Sequence, residues 1–179
     1  MYGIINVAIQ DFAVENYGPE KWEAIKEQSG VDVDYSLTDS PYNDTIPYII
    51  ARTASAEMQL NIEDVLNDLG ESIIPTTNKK FNSFIDSRGD TLRDYLINLP
   101  NFHNRIAMIY PELTPPQFRI SHLGDSSMHV HYFSKTMGIT AFIKGYLKGL
   151  VSMFNEKASI EFLQSKDDGN PQEIFKISW

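Results

Sequence analysis

The chain contains no cysteine, few basic residues and no long apolar run. Without cysteine it can form no disulfide, no thiolate metal site and no thiol nucleophile. No apolar stretch approaches the roughly 20 residues that a membrane-spanning helix needs, so we expect no membrane insertion. The 15 Lys and Arg residues are outnumbered by 24 Asp and Glu residues, which gives a formal net charge of −9. This balance argues against a nucleic-acid partner, because such a partner requires clustered positive charge.

The start of the chain and its length give two further expectations. Residues 1–12 are apolar but carry neither the basic start nor the cleavage site of a signal peptide, so we expect a cytoplasmic protein. The 179 residues are enough for a single domain with a sizeable core. Neither a glycine-rich phosphate loop nor a Gly-x-Ser-x-Gly nucleophile elbow is present, and we predict that the chain is not an enzyme.

Helical spacing of apolar residues dominates the first two thirds of the chain. Gly18 and Gly30 are typical helix stops, Pro19 a typical helix start, and Asn61 a typical N-cap. The predicted helices cover residues 4–17, 19–29, 44 or 45 through 54, 61–69 with its end at Gly70, and a last one capped by Asp90.

Alternating apolar and polar residues mark the last third as a sheet. The predicted strands cover residues 117–123, 128–135, 157–165 and 173–179, and a helix over 138–154 separates the two pairs. The fold class is therefore α+β, with a helical N-terminal half packed on a four-stranded antiparallel sheet and a helix inserted between the strand pairs.

His103 lies on the apolar face of the last N-terminal helix, beside Leu99, Ile106 and Tyr110 at helical spacing. An imidazole in such a setting has two common explanations. It is either a core histidine satisfied by a neighbouring backbone group, or the axial ligand of a buried iron. The spacing alone favours the core histidine, because an apolar stripe more often faces core than cofactor.

The strand after residue 127 carries polar groups on both of its faces. Tyr132 and Ser134 share one face and place two hydroxyls about 7 Å apart. They either donate hydrogen bonds to an anion such as a carboxylate, or solvate an exposed face. His129 and His131 share the other face, and with His122 they suggest either a zinc or copper site or a set of solvated histidines.

Four segments in a fixed order resemble an H-NOX domain, the haem nitric oxide/oxygen-binding module of bacteria and of soluble guanylate cyclase. They are the opening residues 1–6, the histidine in Leu99-PNFHNR, the pair Pro115-Pro116 and the Tyr132-F-Ser134 strand. The resemblance covers residues 1–179 as one domain and is closest to the bacterial standalone type.

The resemblance implies the cofactor and the division of the domain. It implies haem b, held between a helical subdomain of about residues 1–70 and a sheet-containing, haem-ligating subdomain of about residues 71–179. Gly70 falls where the family has a glycine hinge between the two subdomains.

The resemblance also assigns roles to single residues. His103 matches the proximal histidine that ligates the haem iron. Tyr132 and Ser134 match the first two residues of the Tyr-x-Ser-x-Arg motif that grips the haem propionates. Pro116 matches the proline that presses on the porphyrin and bends it, and Ile5 matches a distal residue that packs on the macrocycle.

Thr136 is the one departure from the motif, because the family has arginine at this third position. Arginine offers a permanent charge and a rigid fork for a carboxylate, whereas threonine offers one neutral hydroxyl. Losing such a charge-assisted contact typically forfeits about 1.5–3 kcal/mol. Lys135 is adjacent but belongs to the opposite face of the strand. We therefore expect this chain, with Thr136, to hold haem more weakly than the members of the family that have arginine at this position.

The distal side bears on which gas is bound. Oxygen-binding members of the family place a tyrosine where this chain has Ala141 or Phe142, and neither side chain can donate a hydrogen bond. The supporting polar positions fall at Ile9 and Ile73, which are apolar. Tyr146, one turn further on, carries the nearest hydroxyl. This pattern predicts a sensor that binds nitric oxide at ferrous haem and discriminates against oxygen, with carbon monoxide as a further candidate ligand.

The family also implies a partner, because its standalone chains of this size regulate a separate histidine kinase or a cyclic-di-GMP enzyme. The predicted output is a conformational change read by such an effector. The alternative is a haem-free protein-interaction domain that has kept the fold. Thr136 argues for the alternative, whereas His103, Pro116, Tyr132 and Ser134 together argue for the haem sensor.

Overall fold

The computed structural model describes residues 3–32, 43, 45–80, 89–109, 111, 116–134, 138–165 and 168–179. In this part of the chain it contains six helices and one four-stranded antiparallel sheet, which confirms the α+β fold class. In chain order the elements are α1 (Gly3–Tyr17), α2 (Pro19–Ser29), α3 (Ile46–Met58), α4 (Ile62–Lys80), α5 (Leu92–Ile109), β1 (Gln117–Ser121), β2 (Ser127–Phe133), α6 (Thr140–Met153), β3 (Ser159–Gln164) and β4 (Glu173–Ser178). Within these ranges no helix combines the length and the apolar character needed to cross a membrane.

Local sequence signals set several helix ends as predicted. Gly18 adopts φ 85° between α1 and α2, and Pro19 is the first residue of α2. Gly30 ends α2 in the left-handed conformation with φ 63°, which glycine adopts without strain. At the start of α4 the side-chain oxygen of Asn61 accepts the Glu63 backbone N–H at 2.7 Å, the expected N-cap bond.

The predicted helix end at Gly70 is wrong, since α4 continues through Gly70 and Pro75 to Lys80. Gly70 is buried, and a Cβ atom built there would overlap the backbone carbonyl oxygen of Phe142 in α6. The glycine thus permits a close approach of two helices, rather than ending one of them. Pro75 removes one helical hydrogen-bond donor, and α4 retains its helical form beyond it.

The start of α5 also differs from the prediction. Thr91, rather than Asp90, caps this helix. Its Oγ1 accepts the Asp94 backbone N–H at 3.1 Å and donates to the Asp94 carboxylate at 2.7 Å. The first of these bonds is the usual N-cap bond, and the second ties the two side chains together. The helix includes Pro100, which removes one backbone donor less than one turn before His103.

The sheet has the strand order β1-β2-β4-β3, and every neighbouring pair is antiparallel. Phe118 in β1 lies opposite Tyr132 in β2, and Val130 in β2 lies opposite Phe175 in β4. The first strand is two residues shorter than predicted, because the chain leaves β1 at His122, which has a left-handed φ of 48°.

One hydrophobic cluster joins the helices to the inner face of the sheet. From the sheet it includes Met128, Val130 and Tyr132, which alternate along β2 as the sequence predicts. From the helices it includes the buried stripes of α4 and α6, which pack directly against each other, and α5 contacts β1. This arrangement brings the helix that carries His103 to the edge strand of the sheet.

Candidate functional site

His103 is partly buried on α5, one turn after the fully buried Leu99. Its ring lies edge-on to Phe102, with 5.6 Å between the ring centroids and an interplanar angle of 88°. On the sheet side its centroid lies 5.2 Å from that of Phe118 in β1. Its Nδ1 atom is buried. The imidazole is therefore held by aromatic rings from its own helix and from the sheet. Of the two other predicted neighbours, Tyr110 lies outside the described residues, as does the side chain of Ile106.

Phe118 connects His103 to two further predicted site residues. Its ring centroid lies 5.1 Å from that of Tyr132 in β2 and 6.3 Å from that of Tyr146 in α6. We call His103, Phe118, Tyr132 and Tyr146 the aromatic cluster. It links α5, β1, β2 and α6. Sequence reasoning did not single out Phe118, although the alternation along residues 117–123 marks it as inward-facing.

The two motif hydroxyls occupy the end of β2 nearest this cluster. Tyr132 is only 3% exposed, so it does not serve to solvate an exposed face. Ser134 is partly buried immediately after the strand, and both residues interact with neighbouring groups. Opposite Tyr132 in β4 lies Glu173, a buried carboxyl residue that the sequence analysis did not identify. This end of the sheet therefore concentrates polar groups within the core, an unusual setting that requires hydrogen-bond partners.

The remaining predicted site residues are distributed over other elements. Pro116 is partly buried just before β1, and Ile5 and Ala141 are partly buried on α1 and α6. Phe142 is buried where α6 meets α4. Thr136 lies outside the described residues. The roles of these residues toward haem stay predictions.

The chemistry of these residues fits a haem group. A haem site needs a ligand such as an imidazole for the iron, an apolar surround for the macrocycle and hydrogen-bond donors for the propionates. The aromatic cluster provides the imidazole of His103 beside apolar rings, and the hydroxyls of Tyr132 and Ser134 lie two residues apart on the adjoining strand. Ile9 and Ile73, the positions predicted to lie on the distal side, are 1% and 2% exposed, so both are apolar core residues.

The three other histidines lie away from this cluster, at the β1–β2 turn and on the outer face of the sheet. His122 and His129 have ring centroids 4.3 Å apart. Burial lowers the pKa of His129, and the adjacent His122 and His131 lower that pKa further. Among the described residues no three His, Asp or Glu side chains are arranged to hold a metal ion.

The fold is that of an H-NOX domain. The sequence matches the Haem-NO-binding family over residues 2–162, and the chain belongs to that family. Its members are haem-based gas-sensor domains related to soluble guanylate cyclase. The predicted membership is thus confirmed.

Curated relatives place this domain in longer proteins. The chain is 25% identical over 176 residues to soluble guanylate cyclase gcy-31 of Caenorhabditis elegans. The matched region covers 97% of this chain and 25% of that protein. It is 26% identical over 74 residues to the human guanylate cyclase soluble subunit beta-2, covering 41% of this chain and 12% of that protein. The chain spans about a quarter or less of the length of these relatives.

Solved structures share the fold over nearly the whole chain. An H-NOX protein from S. oneidensis in the Fe(II)NO ligation state superposes with a TM-score of 0.88 at 18% identity, covering 99% of this chain and 98% of that one. A mutant of the Fe(II) unliganded H-NOX protein from K. algicida gives a TM-score of 0.82 at 23% identity, covering 99% and 96%. At these identities the likeness establishes the shared fold.

Proposed function

We propose that the chain binds haem b through His103, senses nitric oxide in preference to oxygen, and signals by a conformational change to a separate effector protein. The observation that carries this proposal is the position of His103 against Phe118, next to the buried Tyr132. Each of the three requirements of a haem site, imidazole, apolar wall and hydroxyl donors, has a candidate residue around this point.

The selectivity for nitric oxide rests on the apolar character of the predicted distal side. Iron-bound oxygen carries partial negative charge and is stabilised by a hydrogen-bond donor, whereas nitric oxide binds ferrous haem tightly without one. Ile9 and Ile73 are buried and apolar, and Phe142 is a core residue. Ala141 offers no donor either. Tyr146 carries a hydroxyl and belongs to the aromatic cluster, but it lies one helical turn beyond the position of the family's tyrosine, and we assign it no contact with the gas.

The aromatic cluster gives the signal a route through the protein. When bound, haem would supply a ferrous iron that binds a diatomic gas, and His103 is the residue that would hold this iron. A change in the position of His103 is passed to Phe118 by direct ring contact, and from Phe118 to Tyr132 and Tyr146. Because Tyr146 lies on α6, which packs on α4, the movement reaches the N-terminal helices. Packed interfaces tend to switch between discrete arrangements, which converts a small displacement into a rigid-body shift.

The test is an absorption spectrum of the purified ferrous protein under anaerobic conditions, before and after nitric oxide, and then in air. We expect a Soret band that shifts with nitric oxide, and no stable oxygen complex. A stable ferrous–oxygen spectrum in air would overturn the selectivity. No Soret band, even after reconstitution with haem, would favour the haem-free interaction domain. The effector, for which a histidine kinase and a cyclic-di-GMP enzyme are the candidates, is to be sought once the spectrum is known.

Thr136 is the feature that favours the haem-free alternative, and it yields a prediction of its own. Thr136→Arg restores the charged fork of the motif and should slow haem loss by about tenfold or more, since a charge-assisted contact contributes about 1.5–3 kcal/mol. The rate is measured as haem transfer to excess apomyoglobin. Thr136→Gln, which is long and polar but neutral, is the matched control. Equal rates for the arginine and glutamine variants would show that Thr136 does not limit haem retention.

A further inference from the structure

A chain of side-chain hydrogen bonds lies on the sheet face opposite Tyr132. The hydroxyl oxygen of Ser121, the last residue of β1, is 2.6 Å from Nε2 of His131 in β2. Nδ1 of His131 is 3.0 Å from Oε1 of Gln172, just before β4. Nδ1 of His122 is 3.0 Å from the same Ser121 oxygen. We call Ser121, His122, His131 and Gln172 the serine cluster.

One set of proton positions satisfies all three contacts. Gln172 Oε1 can only accept, so Nδ1 of His131 carries the proton, and Nε2 of His131 is then an acceptor. The Ser121 hydroxyl donates to that Nε2, and its oxygen accepts the Nδ1–H of His122. Ser121 therefore donates its proton to His131, which can act as a base. The Gln172 oxygen orients the His131 ring, and the Ser121 oxygen accepts a hydrogen bond from His122.

The exposure of these groups matches the roles. His131 is only 8% exposed, so the hydrogen bonds of its ring are shielded from competing water. Ser121 is partly buried and His122 is exposed, so the cluster extends from a buried imidazole to the protein surface. The cluster is independent of the predicted haem site, because His131 and Tyr132 are consecutive strand residues with side chains on opposite faces.

We propose that Ser121 is a nucleophile, activated by His131 as general base, that accepts the acyl group of small esters. A serine within hydrogen-bond reach of a base, which a third group orients, is the arrangement that activates a weak hydroxyl nucleophile. Gln172 is a positioning residue that holds the His131 ring and its tautomer. The hydrogen bond from His122 helps to fix the position of the Ser121 oxygen.

The step balances without any oxidant or reductant. The Ser121 oxygen forms a bond to the ester carbonyl carbon while its proton passes to Nε2 of His131. The bond between that carbon and the alkoxy oxygen then breaks, and the leaving alkoxide takes the proton from His131 and departs as the alcohol. Ser121 remains as an acyl ester and His131 returns to its neutral form.

The experiment treats the purified full-length chain with a fluorophosphonate probe, whose phosphorus–fluorine bond is broken by an activated serine with release of fluoride. Peptide mass spectrometry locates the adduct. We expect the adduct on Ser121, and not on Ser127 or Ser159, two other serines of the same sheet. His131→Gln should lower the labelling rate by about 100-fold or more, the usual range of general-base assistance. Release of 4-nitrophenol from 4-nitrophenyl acetate should follow the same order.

The positioning residue needs a readout that a structural role would not affect. Gln172→Leu should lower the labelling rate, and Gln172→Glu should restore it, because glutamate again offers an oxygen acceptor to Nδ1 of His131. Circular dichroism establishes that each variant is folded. Labelling spread evenly over several serines, or labelling of Ser121 that is unchanged in His131→Gln, would overturn the proposal and leave the cluster as a structural hydrogen-bond chain.

Discussion

Replacing His103 with alanine is expected to remove the Soret absorption of the ferrous protein almost completely. The chain has four histidines and no cysteine. The other three, His122, His129 and His131, lie at the β1–β2 turn and on the outer face of the sheet, away from the aromatic cluster. Hence His103 is the one imidazole that contacts the inner face of the sheet, through Phe118. Its loss leaves neither an imidazole nor a thiolate to serve as the proximal ligand.

The measurement compares the Soret absorbance per protein after reconstitution with haem, with and without added imidazole. Imidazole should restore the band in His103→Ala and also its response to nitric oxide, because the free base can occupy the space of the deleted ring. His129→Gln is the matched control, and it should retain a normal spectrum. If His103→Ala kept the normal spectrum without imidazole, the iron would have another ligand and the proposed site would be wrong.

Local patterns account for the parts of the site that lie along one element. Helical spacing predicted that His103 and Leu99 share one face of α5, and alternation predicted that Tyr132 and Val130 share one face of β2. The burial of both Tyr132 and Val130 confirms the second of these predictions. The contact between His103 and Phe118 joins two different elements, α5 and β1. No periodicity within a single element could predict it. The same limit applies to His131 and Gln172, which are 41 residues apart.

The errors at helix ends have a different origin. A glycine after an apolar helical stripe is a typical helix stop, and for Gly30 the rule holds. At Gly70 the rule fails because α6 approaches so closely that only a glycine fits, and α4 continues beyond it. The requirement for glycine at this position comes from α6, which lies some 70 residues later in the chain. Asp90 and Thr91 are both residue types that cap helices well. Thr91 is the cap because its Oγ1 accepts the backbone N–H of Asp94.

The close contact between α4 and α6 leads to the second large expected effect, the destabilisation caused by Gly145→Ala. A Cβ atom at Gly145 would overlap the backbone carbonyl oxygen of Asn67 in α4 and lie 2.7 Å from its carbonyl carbon. These are backbone atoms, so they cannot rotate away as a flexible side chain would. We expect the free energy of unfolding to fall by about 3 kcal/mol or more, at or above the upper end of the usual range for overpacking.

The sign of this change distinguishes packing from helix propensity. In an exposed helix the same substitution would stabilise by about 1 kcal/mol, because alanine is the better helix former. Urea unfolding followed by circular dichroism measures the difference. Gly124→Ala is the matched control, since the nearest atom to its added Cβ lies 3.5 Å away, and it should be nearly neutral. In Gly70→Ala the added Cβ on α4 would overlap the Phe142 carbonyl oxygen of α6. This substitution should lower the free energy of unfolding as much as Gly145→Ala. A Gly145→Ala protein as stable as the original would mean that α4 and α6 lie further apart, and that the proposed signal through Tyr146 lacks a rigid path to the N-terminal helices.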